Sequence, residues 1–318
     1  MSTVVAVRGV LPTHRYPQDQ LTGLFAQLCL PGRDDDELTR RFHASARVAT
    51  RHLALPIERY PQLADFTAAN DAFLEVAVDL GAEAVEQALK AAGLVADEVD
   101  FVVSTTVTGV AVPSLEARIG PRIGLRSDVK RVPLLGLGCL AGAAGIARLD
   151  DLLRGSPDAV GVLVAVELCS LTVQRDDRST ANMVASGLFG DGAAAVVAVG
   201  AEHRLAPDGP HVVASRSHLY PDTARTMGWD VGATGFKIVL SADVPELVQS
   251  YLADDVAGLL TPHGLRVHDI DTWICHPGGP KVIEAIQSSL GLDEDALAMT
   301  WRSLERVGNL SSVSVLHV

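Results

Sequence analysis

Two stretches of the chain repeat one pattern. VDFVVSTTVTG, from Val99, and IDTWICHPGGP, from Ile270, each run from an apolar strand into a turn and lead on to a matching end, IGL and LGL. Further along, GLGCLAGAAGIARL is matched by RVGNLSSVSVLHV. Self-similarity of this kind predicts two similarly folded halves. In this register Cys139 stands opposite Asn309, and His276 stands opposite Thr105 at the end of the equivalent strand. A pseudo-symmetric pair of halves brings equivalent strand ends to the shared interface, where sites commonly form. Cys139, His276 and Asn309 are therefore expected to meet.

The rest of the chain alternates strand and helix. Val4 to Val10 reads as a strand stopped by Pro12, and 17–55 as charged and mostly helical. Phe73, Val76, Leu80, Ala84, Val85, Ala88 and Leu89 recur at helical spacing within 69–93. Phe101 to Thr106 is a strand, and a short helix follows Pro113. Val132 to Leu137 is a buried strand, and IARLDDLLRG is an amphipathic helix ending at Gly155. GVLVAVELCSLTV is nearly all apolar, as in sheets covered on both faces. GLFGDG turns into a further strand. Pro207, Gly209 and Pro210 mark a linker, so the halves are expected at 1–205 and 206–318. In the second half HVVASRSHLY and the segment before His276 read as strands, and VPELVQSYLADDVAGLL as a helix.

The duplication also acts as a ruler. After Cys139 the first half continues with a helix and two more strands, whereas the second half stops at Val318 inside the corresponding helix. By that ruler about 50 residues would follow, and a sheet without them would expose an apolar edge.

Composition limits the function. The 318 residues suit two domains and are 48% hydrophobic. A formal net charge of −13 argues against a nucleic-acid partner. A local basic stripe of Arg40, Arg41, Arg47 and Arg51 is either plain surface charge or a grip on the phosphates of coenzyme A. The run Arg33, Asp34, Asp35, Asp36, Glu37 reads as a solvated face. Cys29, Cys139, Cys169 and Cys275 form no C-x-x-C pair, which argues against zinc, and fit a reducing cytoplasm. No apolar run reaches the length of a membrane span.

Cys139 lies between a strand and a helix, where free helical N–H groups favour a thiolate and small neighbours admit a substrate backbone. Taken singly, each residue has a plainer reading: Cys139 as a small buried hydrophobe, His276 as a turn histidine before Pro277, Asn309 as a helix N-cap. As a set they make chemical sense. A thiolate takes an acyl group from a thioester, while imidazole and carboxamide N–H groups hold a thioester oxygen as it becomes an enolate. Such a site decarboxylates a malonyl thioester without a metal and joins the carbanion to the Cys-bound acyl group.

GLGCLAGAAG, GLFGDGAAAVV, WICHPGGPKVIEAI and ERVGNLSSVSVL resemble the signature segments of type III polyketide synthases, the chalcone and stilbene synthase family, over nearly the whole chain. The resemblance implies a thiolase fold, a five-layered αβαβα arrangement, and a cytoplasmic homodimer working on acyl-CoA and malonyl-CoA with no further cofactor. It implies Cys139 as nucleophile and acyl carrier, with His276 and Asn309 for decarboxylation and oxyanion stabilisation. Gatekeeper phenylalanines fall at Phe189 and Phe236, pocket positions at Val107, Thr108, Cys169 and Thr172, and a dimer-crossing residue at Val112. Arg47 and Arg51 are its weaker coenzyme A candidates. The family's Gly-Phe-Gly-Pro-Gly type loop has no match here. TVTGVAVPS and TMGWDVGATGFKIVLSADVP resemble bacterial members that take fatty acyl starters, which implies an alkylpyrone or alkylresorcinol product.

Two readings compete. A ketoacyl-ACP synthase III uses the same Cys-His-Asn logic, but usually continues its His with Gln-Ala-Asn rather than Pro-Gly-Gly-Pro. A non-catalytic acyl-binding subunit is suggested by the short C-terminus. A thiolase would need a second catalytic Cys, and GLFGDG is not followed by the helix that a phosphate loop requires.

Overall fold

The central sheet is built from the first half of the chain. In a computed structural model, residues 1–29 and 36–318 are described. Arg33, Asp34 and Asp35 of the charged run lie outside them. In order come β1 (Thr3–Val10), β2 (His14–Pro17), α1 (Gln18–Cys29), α2 (Asp36–Ser45), β3 (Thr50–Leu53), α3 (Phe66–Ala92), β4 (Phe101–Thr105), α4 (Leu115–Ile123) and β5 (Lys130–Leu134). Then follow α5 (Ala141–Arg154), β6 (Val160–Leu168), α6 (Thr180–Leu188), β7 (Asp191–Val199), β8 (Met227–Gly232), β9 (Gly235–Leu240), α7 (Val244–Leu260), α8 (Pro280–Leu290), α9 (Ala298–Val307) and α10 (Ser314–His317).

The five-stranded sheet has the order β1-β7-β6-β4-β5. β5, β4 and β6 run parallel, and β7 is antiparallel to both β6 and β1. Every residue of β6 and β7 is buried, which explains their almost wholly apolar sequence, broken by Glu167 in β6 and by Asp191 at the start of β7. α3 covers one face with Phe73, Ala77, Ala84, Val85 and Ala88. α5 covers the other with Leu149 and Leu153 against Leu163 and Ala165. Asp65 caps α3 by accepting from Ala68 N, and Gly93 ends it in the left-handed region at φ 67°. The parallel strands direct their C-terminal ends, and the loops after them, to one edge, where Cys139 sits.

The region expected to be purely helical also contains a short antiparallel pair, β2 with β3. The second half departs further from the duplication. HVVASRSHLY and residues 271–276 form no strand among the described residues, and the former is tied to the sheet only by an isolated bridge from His211 to Thr3. In the first half β4 is held between β5 and β6. In the second, helix α9 precedes Asn309 where β5 precedes Cys139, and the described residues hold no counterpart of β6 and β7. Val213, Leu219 and Ile274 on these unpaired stretches are 56%, 93% and 59% exposed. What the second half retains is the turn geometry. Gly138–Leu140 and Ser311–Val313 are both single 3-10 turns running straight into a helix.

Candidate active site

Cys139 lies in the 3-10 turn that opens onto α5. Gly136 and Gly138, at φ 84° and 58°, make the reversal after β5 that brings the thiol back over the sheet edge. Opposite it stands the loop after α9. Gly308, at φ 77°, ends α9, and an added Cβ there would come 2.7 Å from the Leu188 carbonyl. Asn309 N donates to that carbonyl and Gly190 N donates to Asn309 O, both at 2.9 Å, which locks the loop to the turn at Phe189. Gly142 allows the two helix starts to approach, since a Cβ there would sit 2.2 Å from Ser312 O.

Cys139, His276 and Phe189 line one cavity of about 780 Å³. Val107, Thr108, Cys169 and Thr172 line it too, so the sequence-derived pocket positions converge. Cys139 Sγ lies 3.5 Å from Ser311 Oγ. His276 Nδ1 is buried with no hydrogen-bond partner. Asn309 is 1% exposed and behind the cavity wall. Its Oδ1 accepts from Ser311 N at 2.8 Å and from Ser314 Oγ at 3.3 Å, while no hydrogen bond engages its Nδ2.

The protonation states differ from the thiolate expected at a helix start. Burial pushes the Cys139 thiol up to about 11, against the opposing hydrogen bond from Ser311, and the Glu167 carboxylate adds to the rise. Burial holds His276 down to about 4. A single short turn of N–H groups does not offset this desolvation. Burial therefore favours the neutral form of both groups.

Two expectations are corrected. Phe236 does not line this cavity. It is buried in an adjoining one of about 220 Å³, edge-on to Phe66 at 5.3 Å, and Trp229, 5.8 Å away, takes its place on the Cys139 side. The basic stripe is not one surface. Arg47 is exposed, lies 4.9 Å over the Trp301 ring and pairs with Glu284 at 3.4 Å. Arg51 is buried in the cavity wall. Val112 is 86% exposed, on a loop apart from the cavity lining.

Sequence reading missed Glu167. It is fully buried at the end of β6. Its Oε2 accepts from Thr108 Oγ1 at 2.8 Å and Val107 N at 3.1 Å, and its Oε1 from Ser312 Oγ at 2.5 Å. Burial raises its pKa against these hydrogen bonds. A lone acid inside GVLVAVEL was the signal. The far wall was also missed: β8, β9 and α7 supply Trp229, Ile238, Leu247, Val248 and Leu252.

With this geometry in view, the comparisons with known proteins are specific. Residues 1–203 match the model of the N-terminal domain of chalcone and stilbene synthases, and residues 211–318 match that of the C-terminal domain. The chain belongs to the chalcone and stilbene synthase family. It is a type III polyketide synthase, a condensing acyltransferase of thiolase fold that uses coenzyme A thioesters. The synthase is 55% identical to a 1,3,6,8-tetrahydroxynaphthalene synthase of Streptomyces peucetius subsp. caesius, over its whole length and 84% of that relative. It is 32% identical to an alpha-pyrone synthesis polyketide synthase-like protein of Mycobacterium tuberculosis, over 100% of this chain and 83% of the other. The crystal structure of a tetrahydroxynaphthalene synthase from Streptomyces coelicolor superimposes with a TM-score of 0.90 at 30% identity, covering 99% of this chain and 88% of that one.

Proposed function

We propose that Cys139 is the nucleophile and acyl carrier of this synthase, with His276 and Asn309 stabilising the enolate. Cys139 and His276 share one cavity, His276 Nδ1 is buried without a hydrogen-bond partner among the described residues, and Asn309 accepts from Ser311, which lines the same cavity. The reaction runs in four moves. Neutral His276 takes the Cys139 proton as sulfur attacks an acyl-CoA carbonyl, and the coenzyme A thiolate leaves with that proton. A malonyl-CoA then loses carbon dioxide, and the electron pair of the broken bond becomes a thioester enolate held by the imidazole and carboxamide N–H groups. The enolate carbon attacks the Cys139 thioester and forms the carbon–carbon bond. Cys139 leaves as the thiolate and takes a proton from solvent, ready for the elongated chain.

For the product, a polyhydroxylated naphthalene made from malonyl-CoA is the leading reading, carried by the 55% identity to a tetrahydroxynaphthalene synthase. Such a skeleton is made of two-carbon units alone. The alkylpyrone or alkylresorcinol reading with a fatty acyl starter is supported by the apolar far wall of Ile238, Leu247, Val248 and Leu252. Incubation with malonyl-CoA alone, and with added long acyl-CoA, separates the two. A naphthol from malonyl-CoA alone supports the first reading, and alkylated pyrones or resorcinols only with the long starter support the second.

A homodimer is part of the same proposal. Val112, Leu135 and Leu140 are 86%, 78% and 57% exposed on loops leaving the neighbouring parallel strands β4 and β5. Apolar side chains grouped in this way mark an interface. No helix among the described residues is long and apolar enough to cross a membrane, and a cytoplasmic setting fits four free cysteines.

A further inference from the structure

Arg51 is a buried cation that no carboxylate pairs with among the described residues. It leaves β3 at 5% exposure. Its Nε donates to Gln18 Oε1 at 2.9 Å and its Nη1 to Phe189 O at 2.8 Å. Nη2 has no hydrogen bond, and among the described residues no carboxylate pairs with the guanidinium. Asp191 acts on it only through space. Burying a guanidinium in this way is costly unless something anionic completes its shell.

Its position says what could do so. Arg51 lines both the Cys139 cavity and the adjoining smaller one, in a shared wall with Ser170, Thr172 and Ser186. Around it the smaller cavity is lined by Leu21, Phe25 and Phe66 and by one more cation, Arg175, together with Asp65 and Asp176. A coenzyme A phosphate suits this place poorly, because Arg175 donates to the Tyr60 carbonyl and the two carboxylates offset its charge, while Arg47 lines a separate surface pocket. On the proposed mechanism, however, a chain growing on Cys139 would extend within the Cys139 cavity, whose wall includes Arg51. It carries an oxygen on alternate carbons, and its β-diketone units ionise readily to enolates. A planar guanidinium binds paired anionic oxygens well.

We propose that Arg51 recognises the oxygen-bearing far end of the Cys139-bound chain, as a carboxylate or a β-diketone enolate, and so selects oxygenated chains over plain alkyl ones. The inference rests on Cys139 being the acyl carrier. Arg51 would be a specificity-determining residue for the condensation.

The test compares acyl-CoAs matched in length, glutaryl with pentanoyl and adipyl with hexanoyl, by the rate at which each loads Cys139 in intact-mass measurements. Wild type should load the carboxylated partner faster at the length that reaches Arg51. Arg51→Gln, which can still donate to the Phe189 carbonyl, should lower carboxyacyl loading about 10- to 100-fold, while alkanoyl loading stays within about threefold. Arg51→Lys should restore part of the preference. Equal losses for both acyl classes in Arg51→Gln would show a structural role and overturn the proposal. So would a wild type with no preference at any length, a result that needs no variant to fold. Failure of wild type to load any acyl group contradicts the acyl-carrier assignment instead, a different outcome from equal loading.

Discussion

Glu167 Oε1 accepts a 2.5 Å hydrogen bond from Ser312 Oγ, joining the end of β6 to the loop that carries Asn309. The same carboxylate holds Thr108 and Val107 with its other oxygen. One buried acid thus fixes the loop after β4 and the Asn309 loop against each other beside Cys139.

Glu167→Ala leaves the Ser312 and Thr108 hydroxyls and the Val107 N–H without their acceptor in a water-poor site. The loss should be about 3 kcal/mol, read as a Tm lowered by several degrees. Glu167→Gln keeps the shape and one acceptor and should cost less than half of that. Equal stability of Glu167→Ala and wild type in thermal unfolding would contradict the clamp.

Gly142 sets the distance between α5 and the Asn309 loop. In Gly142→Ala the new Cβ meets Ser312 O at 2.2 Å and a Val315 methyl at 2.8 Å. The loop must shift away from Cys139, at a cost of about 1–3 kcal/mol. Condensation should fall more steeply than acyl loading, because on the proposed mechanism loading uses Cys139 and His276 whereas enolate formation also needs Asn309 in place. Product and acyl-enzyme measured side by side check this.

His43 gives the fold a pH dependence. It is 1% exposed between Thr22 Oγ1 at 2.8 Å and Ser186 Oγ at 3.0 Å, and burial, aided by Arg51, holds it down to about 4. The unfolded chain binds its proton near 6.5, so this contribution is complete above that pH and is lost as pH falls toward 4. The loss amounts to roughly 3 kcal/mol. Asp191, raised to about 6 by burial, works in the opposite direction over part of the window. The clean reading is therefore the difference between wild type and His43→Gln: the variant should lose less stability between pH 6.5 and 4.5 in denaturant titrations.

Val112 tests the proposed dimer. Val112→Asp puts a charge on the most exposed apolar side chain near the site and should raise the fraction of monomer in sedimentation at micromolar protein. An unchanged dimer would remove this loop from the interface.

The repeat made the placement of Cys139 and Asn309 legible. Each lies at a glycine-bearing turn that leads into a helix, and that correspondence survives where the strands do not. Sequence reading failed where local pattern and tertiary context part. The segment before His276 has a strand's composition, but a strand needs neighbours, and among the described residues none pairs with it. Phe236 and Trp229 are both aromatic residues of one hairpin, and only packing against Phe66 decides which faces the cavity. Arg51 reads as one of four surface arginines, yet β3 turns it inward. Glu167 was visible as an acid in an apolar run, but its partners on two distant loops were not.

The central claim is that Cys139 carries the acyl chain. Intact mass of the synthase after brief exposure to acyl-CoA, followed by malonyl-CoA, measures it directly beside Cys139→Ala. The account predicts an acyl increment on wild type that maps to Cys139 and is consumed when malonyl-CoA arrives, with neither increment nor ketide product in the variant. Ketide products from Cys139→Ala at the wild-type rate, or an acyl increment mapping to another residue, would contradict it.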